Sequence, residues 1–143
     1  MKKKICLILA NYYPDITDML MEGSNRKILV AETTNKLKIS RNEIHVPGVF
    51  EIPVTIAKLI TQYDAFVALG CIIKGETPHF DLISKAAVNA IMNLSVKNKK
   101  PIGNGIITCL NKQQAIERAD PNKKDKGGEA VSAVLQHWQI FKS

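Results

Sequence analysis

The stretch G-E-T-P-H-F-D at residues 75–81 contains groups that can hold and protonate a small anion. It directly follows the apolar run 65–73. Backbone amides at a helix start, together with the hydroxyl of Thr77, are suited to binding an anion. An imidazole beside that anion, here His79, is suited to moving protons near neutral pH. The alternative interpretation is a helix start that Thr77 caps, with His79 merely exposed to solvent.

A second candidate stretch, P-G-V-F-E, lies at residues 47–51. Gly48 allows a ligand to approach the backbone closely, and the helix start that follows offers free N–H groups. The carboxylate of Glu51 can accept hydrogen bonds from the hydroxyls of a polyol. Alternatively, the stretch is only a helix entry in which Glu51 interacts favourably with the helix dipole.

Three further residues carry side chains with a chemical use. Tyr12 and Tyr13 follow the first apolar run, and such a ring can stack on a planar heterocycle. Arg118 ends a short amphipathic stretch, and its guanidinium can clamp a phosphate bidentately. Each also has an ordinary alternative, namely packing for the tyrosines and a solvated side chain for the arginine.

The elements that must position these residues alternate along the chain. Short apolar runs indicate strands buried on both faces, and the longer amphipathic stretches between them indicate helices. This order predicts an α/β fold, a three-layer αβα domain with a flavodoxin-like, four-stranded parallel sheet and helices on both faces. In such sheets ligands bind beyond the carboxyl ends of the strands, where the candidate residues fall. The predicted strands are 5–10, 38–46, 65–73 and 102–110, and the predicted helices 15–32, 52–62, 80–97, 112–118 and 127–141.

Length and composition narrow the functional classes. The chain has 143 residues, 45% hydrophobic and 23% charged, which predicts one globular domain over residues 1–143. No apolar run approaches the roughly 20 residues that span a bilayer, so no membrane partner and a cytoplasmic location are expected. The net charge of +7 and the basic clusters at 2–4, 97–100 and 123–126 suggest either nucleic acid or anionic metabolites. Aromatic residues do not interleave with these clusters along the sequence, which favours the metabolites.

Three cysteines, Cys6, Cys71 and Cys109, lie in apolar runs and are expected to be reduced thiols in the core. No C-x-x-C pair or other metal-ligand spacing accompanies them. A metal site is therefore not expected.

The motifs together resemble the lumazine synthase family from about residue 5 to residue 135. The resemblance is carried by V-P-G-V-F-E-I-P, L-G-C-I-I-K-G-E-T-P-H-F-D, G-N-G-I-I-T, Q-A-I-E-R-A and K-G-G-E-A, in this order. It implies a transferase of riboflavin biosynthesis that needs no cofactor. The implied substrates are 5-amino-6-(D-ribitylamino)uracil and 3,4-dihydroxy-2-butanone 4-phosphate. The implied product is 6,7-dimethyl-8-ribityllumazine, with phosphate and water released.

The resemblance also implies roles for individual residues. Tyr12 matches the aromatic residue that stacks on the pyrimidine, and His79 matches the residue that transfers protons. Asn104 and Arg118 match positions supplied by a neighbouring subunit, with Arg118 meeting the phosphate. The remaining implied contacts are Val49, Phe50 and Glu51 for the ribityl chain, Cys71, Ile72 and Ile73 for the uracil, Glu76 and Thr77 for the butanone phosphate, and Lys126 and Glu129 as further possible neighbours of the phosphate.

The sequence departs from the family pattern at three positions. Asn104 stands where many members have phenylalanine, so one wall of the pyrimidine site is expected to be polar or rebuilt. Cys71 replaces a common threonine, which matters little if only its backbone is used. Pro78 removes one backbone donor beside the proposed phosphate site.

Two other functional classes would share features of this sequence. A non-catalytic protein that binds flavin or lumazine would keep the same pocket, but it would not need a phosphate clamp beside a proton shuttle. A nucleic-acid-binding protein would show salt-sensitive affinity for DNA or RNA.

Family members form pentamers with active sites between subunits, and some build shells from those pentamers. The short segment 1–4 with its three lysines, and G-N-G at 103–105, favour an isolated homopentamer.

Overall fold

The computed structural model describes residues 2–35 and 37–142. Within these ranges strands and helices alternate, as the sequence predicts. A short 3-10 helix, Val49–Glu51, leads directly into the second α-helix. The strands are β1 (Lys2–Ala10), β2 (Lys38–Val46), β3 (Ala65–Ile73) and β4 (Ile102–Cys109), and the helices are α1 (Pro14–Thr34), α2 (Ile52–Leu59), α3 (His79–Asn98), α4 (Lys112–Ala119) and α5 (Lys126–Ile140).

The four strands form one parallel sheet in the order β2-β1-β3-β4. Alternate residues of each strand point to opposite faces, so each apolar run supplies two hydrophobic layers. One layer, which includes Leu7 and Val67, packs against α1, α4 and α5. The other layer, which includes Ile8 and Phe66, packs against α2 and α3. The predicted three-layer αβα fold is therefore confirmed.

This strand order creates one point at which neighbouring strands connect in opposite directions. After β1 the chain crosses to β2 at the edge of the sheet, and it then returns past β1 to form β3. The connections that follow β1 and β3 therefore leave the sheet in opposite directions and open a crevice at its carboxyl edge. The segments 11–13 and 74–78 leave the sheet at this point.

Two element boundaries differ from the predicted ones by three residues. β1 begins at Lys2 rather than at residue 5, because Lys2, Lys3 and Lys4 pair in register with Lys38–Ser40 of the edge strand β2. The charged side chains hide this part of the strand in the sequence pattern. Helix α2 ends at Leu59 instead of residue 62, because a hydrogen-bonded turn, from the N–H of Gln62 to the carbonyl of Leu59 at 2.9 Å, closes it.

None of the helices in the described ranges combines the length and apolar character that crossing a bilayer requires.

Candidate functional site

A cavity of about 630 Å³ opens at the carboxyl ends of β1, β2 and β3. Its volume lies in the range usual for small-molecule sites. Three separate connections of the chain converge on it, each following a different strand. The lining residues are Tyr12, Tyr13, Gly48, Val49, Phe50, Glu51, Cys71, Ile72, Ile73, Gly75, Thr77, His79, Phe80 and Ile83.

The first wall consists of the two tyrosines that follow β1. Tyr12 is 73% exposed, and its ring meets that of Tyr13 edge-to-face with centroids 5.0 Å apart. The turn is fixed from below, because the hydroxyl of Thr17 donates to the carbonyl of Ala10 at 2.7 Å and to that of Tyr13 at 3.1 Å. Tyr12 therefore presents a free aromatic face on a rigid turn.

An ion pair between helices supports this wall from the side. The ammonium of Lys112, at the start of α4, lies 2.8 Å from the carboxylate of Asp15 at the start of α1. The same ammonium lies 5.9 Å from the ring centroid of Tyr13. The hydrogen bond from Lys112 lowers the pKa of Asp15, while burial raises the pKa of the Tyr13 hydroxyl. The carboxylate and the phenol thus keep their charged and neutral forms at neutral pH.

The second wall is the 3-10 helix after β2. Val49 is buried against β3, where a Cβ added to Gly70 would approach a Val49 methyl group to 2.9 Å. Gly70 thus allows this short helix to lie directly on the sheet. Phe50 is 67% exposed on the cavity side, and Glu51 precedes α2 without a partner in an ion pair among the described residues. This wall offers an apolar ring and a carboxylate acceptor.

The floor is the carboxyl end of β3, with Cys71, Ile72 and Ile73. Burial, and next to it the neighbouring thiol of Cys109, raises the pKa of Cys71 to about 12. The side chain is therefore a neutral thiol at physiological pH. The expectation that the three cysteines are reduced core residues is confirmed, since all three are free and buried.

The polar end of the cavity is the connection from β3 into α3. His79 is the first residue of α3, and its side chain is exposed to the cavity. The backbone N–H of His79 donates to the hydroxyl oxygen of Thr77, with a nitrogen–oxygen distance of 3.4 Å. Pro78 holds the N-cap position without a side-chain hydrogen bond. In the described part of the chain, the backbone N–H groups of Gly75 and Thr77 have no protein acceptor. Unpaired amides at the positive end of a 20-residue helix are suited to an anion.

The structure brings nine of the fourteen sequence-predicted site residues to the cavity lining. Glu76 lies within the same connection but is exposed and outside the lining. Asn104, Arg118, Lys126 and Glu129 also lie outside it.

Two of these four residues lie beside the open edge of the sheet. Asn104 is exposed on β4, which pairs only with β3 among the described strands. Its side-chain oxygen accepts a hydrogen bond from the N–H of Ile106 at 3.1 Å. Arg118 reaches the same edge from α4 and donates to the carbonyl of Thr108 at 2.6 Å.

Lys126 and Glu129 pair with each other at 3.3 Å in the first turn of α5. That turn packs closely against α1, where the hydroxyl of Ser24 donates to the carbonyl of Gly127 at 2.9 Å. The G-G motif between the two residues is therefore explained by helix packing, since a Cβ at Gly127 would lie 2.0 Å from the carbonyl oxygen of Leu20.

Phe80 and Ile83 line the cavity, although the sequence did not single them out. Both lie in the first turns of α3, on the side that faces the 3-10 helix. Their spacing of three residues, directly after His79, places them on one helical face, and this spacing was the available signal. They extend the apolar wall next to the imidazole.

Three or more potential metal-binding side chains do not come together anywhere in the described ranges.

Comparison with known proteins gives a consistent family. The family model described as 6,7-dimethyl-8-ribityllumazine synthase matches residues 2–142. A protein of that name from Agrobacterium fabrum is 41% identical, covering 99% of this chain and 96% of its own length. A 6,7-dimethyl-8-ribityllumazine synthase 1 from Rhodopseudomonas palustris is 40% identical, with 96% and 85% covered. The Zymomonas mobilis protein of the same family is 39% identical, with 97% and 96% covered.

Among solved structures, the MID domain of the N. crassa QDE-2 AGO protein covers 99% of this chain and 98% of its own, with 16% identity and a TM-score of 0.35. A likeness of that size has no bearing on fold or function. The family match extends over both walls, the floor and the polar end of the cavity. The chain belongs to the 6,7-dimethyl-8-ribityllumazine synthase family.

Proposed function

We propose that this protein is the transferase of riboflavin biosynthesis that makes 6,7-dimethyl-8-ribityllumazine. It condenses 5-amino-6-(D-ribitylamino)uracil with 3,4-dihydroxy-2-butanone 4-phosphate and releases phosphate and water. The observation that supports this most strongly is the convergence of Tyr12, Glu51 and His79 on one cavity of about 630 Å³. These three side chains come from three separate connections and supply a stacking ring, a hydroxyl acceptor and a proton carrier.

The pyrimidine half of the cavity is assigned to the uracil substrate. Tyr12 stacks on the heterocycle with its exposed ring, and the strand end 71–73 faces the ring edge with backbone groups. Because those contacts use the backbone, the thiol at Cys71 does not impair the site. Val49, Phe50 and Glu51 hold the ribityl chain, with the carboxylate accepting hydrogen bonds from its hydroxyls.

The polar half is assigned to the butanone phosphate. The free amides of the 75–77 connection, including Glu76 and Thr77, bind the phosphate at the start of α3. Pro78 has no N–H, so the bound oxygens meet the amides that precede it. The site holds the departing phosphate next to His79 and stabilises the negative charge that develops as its bond to carbon breaks.

The reaction itself requires little beyond orientation and proton transfer. The 5-amino group adds to the ketone, and a first water leaves to give an imine. β-Elimination then expels phosphate and leaves an enol, which tautomerises to a ketone. The ribitylamino nitrogen attacks this ketone, and loss of a second water closes the second ring. Each step moves a proton near the imine carbon, which His79 donates or accepts at the mouth of the cavity. Fixing both substrates in one cavity supplies the proximity.

A second copy of the chain completes the site. Arg118 and Asn104 lie along the open edge of β4 and outside this chain's own cavity, so we assign them to the cavity of a neighbouring subunit. In that cavity Arg118 clamps the phosphate, and Asn104 forms a polar wall beside the pyrimidine. Lys126 and Glu129 are assigned as further contacts of the phosphate. The assembly proposed is a cytoplasmic homopentamer. An exposed apolar row on α3, in which Met92 is 60% and Val96 is 68% exposed, supports self-association.

Two measurements test this function. Mixing the purified protein with both substrates produces the lumazine, which is followed by its absorbance or fluorescence. A protein that binds the lumazine or riboflavin but forms no product would instead be a non-catalytic binder. Light scattering is expected to give a mass near five times 15.8 kDa. A monomer in that measurement would contradict the shared site, because there would be no neighbouring subunit whose cavity Arg118 could enter.

A further inference from the structure

A second cavity of about 260 Å³ lies at the opposite end of the sheet from the candidate site. The amino ends of three strands border it, with Lys3 near the start of β1, Asp64 just before β3 and Pro101 just before β4. The remaining lining residues come from the end of α3 and from the end of α5 and the residues after it, namely Lys99, Lys100, His137, Trp138, Phe141 and Lys142. No part of the proposed condensation uses this cavity.

The charge of this cavity is strongly positive. Four lysines line it against one carboxylate, Asp64, which already accepts a hydrogen bond from the N–H of Lys4 at 2.7 Å. Among the described residues none of the four lysines forms an ion pair with a carboxylate. Lys100 donates to the carbonyl of Ile60, which leaves Lys3, Lys99 and Lys142 to meet an anion. A cavity with low-dielectric walls and several positive charges raises the local concentration of anions.

Lys99 lines the cavity and has an unusual backbone conformation. It has φ 54° and ψ 42°, the left-handed conformation that ends α3. Glycine usually occupies such a position, because a side chain there costs conformational energy. Lys99 at this position adds a positive charge to the cavity lining in addition to ending the helix.

Aromatic rings form the other wall. Trp138 is 8% exposed, and the ammonium of Lys3 lies 5.5 Å from its ring centroid. Phe141 is 71% exposed, and its ring packs against that of His137 with centroids 4.8 Å apart. The buried Nδ1 of His137 has no hydrogen-bond partner among the described residues. Although the basic clusters and the aromatic residues are separate in the sequence, the fold brings them together here.

We propose that this cavity binds a small phosphomonoester whose phosphate is joined to a planar ring. The phosphate meets the ammonium groups of Lys3, Lys99 and Lys142, and the ring packs against Phe141 and the edge of Trp138. A volume of about 260 Å³ is slightly below that of typical drug-sized sites, which restricts the ligand to one ring and one phosphate.

Trp138 makes the test specific for this cavity, because it is the single tryptophan of the chain. Its fluorescence, excited selectively, is followed while phenyl phosphate is added to the full-length protein at constant ionic strength. Binding draws the ammonium of Lys3 from the indole to the phosphate, so a saturable change in emission is expected. Benzyl alcohol, a ring without charge, is expected to cause no saturable change. Inorganic phosphate, a charge without a ring, is expected to bind about tenfold more weakly.

The variants Lys99→Gly and Lys3→Met test the cations. Lys99→Gly removes one charge and keeps the left-handed turn without strain, so the fold is retained. Each variant is expected to raise the Kd for phenyl phosphate about fivefold, whereas Lys123→Gln, an exposed lysine elsewhere, leaves it unchanged. Thermal denaturation of each variant checks that it is folded.

Three outcomes would overturn the proposal. One is the absence of any saturable change with phenyl phosphate. Another is an increase in Kd for Lys123→Gln as large as that for Lys99→Gly and Lys3→Met, which would show that the effect depends only on the net charge of the protein. The third is equal affinity for phenyl phosphate and inorganic phosphate, which would show that the aromatic residues do not contribute to binding.

Discussion

His79 is the imidazole of the candidate site, placed by the first turn of α3 beside unpaired amides. We predict that His79→Ala slows the condensation roughly a hundredfold while substrate binding changes little. The amine and the ketone react slowly on their own, so proximity preserves residual turnover. Steady-state kinetics measure the effect, with His45→Ala, an exposed histidine outside the cavity, as the control. Nearly full turnover of His79→Ala near neutral pH would show that another group moves the protons.

The buried thiols predict how stability depends on pH. Burial raises the pKa of Cys6 from its ordinary 9.0 to about 11 and that of Cys71 to about 12. Well below pH 9 both thiols are protonated in the folded and the unfolded chain, and their contribution to stability is complete. Above pH 9 the unfolded chain ionises first, so stability falls with rising pH until the folded pKa values are reached.

Urea unfolding at pH 8, 9 and 10 measures this effect. We expect the unfolding free energy to fall less steeply above pH 9 in the variant Cys6→Ala/Cys71→Ala than in the unmodified protein. Identical slopes would assign the loss to lysines and tyrosines instead. Alkylation at pH 8 is expected to leave both thiols unmodified until urea unfolds the chain.

At the scale of elements, the packing of α5 on α1 is predicted to depend on Gly127. A Cβ at this position would lie 2.0 Å from the carbonyl oxygen of Leu20, so two backbones would have to separate. We expect Gly127→Ala to lower the unfolding free energy by about 2–3 kcal/mol. Gly75→Ala is the matched control, because a Cβ there meets no atom within 4 Å. Equal urea midpoints for the two variants would contradict the close contact.

The elements show which parts of the molecule can be read from sequence. β3 was predicted with its observed bounds, because a continuous apolar run between polar turns has one interpretation. The start of β1 was missed, because pairing with β2 outweighs the polar character of its lysines. The segment of Phe80 and Ile83 was predicted as a helix, and their spacing places both side chains on one helical face. Which way that face points depends on how α3 packs against the 3-10 helix, and the spacing alone does not determine this packing.

At the scale of the whole molecule, the proposed assembly gives Arg118 a role that its own chain does not explain. It is expected to bind the phosphate of the second substrate, so Arg118→Ala should raise KM for the butanone phosphate much more than KM for the pyrimidine. Arg118→Lys should recover only part of this loss, because an ammonium cannot replace the bidentate guanidinium. Equal changes for both substrates would instead indicate a structural role through its hydrogen bond to Thr108.

Mixing subunits tests whether one active site draws on two chains. If His79 and Arg118 of the same site come from neighbouring subunits, a ring assembled from equal amounts of His79→Ala and Arg118→Ala chains contains some interfaces with both native residues. Random assembly makes these about a quarter of all interfaces in a closed ring, so activity should return to about a quarter of the unmodified level. The two variants are unfolded together, refolded and assayed, with each variant refolded alone as the control. If both residues serve a site within one chain, every site in the mixture lacks one of them, and activity that stays at the level of the separate variants would sink the shared-site proposal.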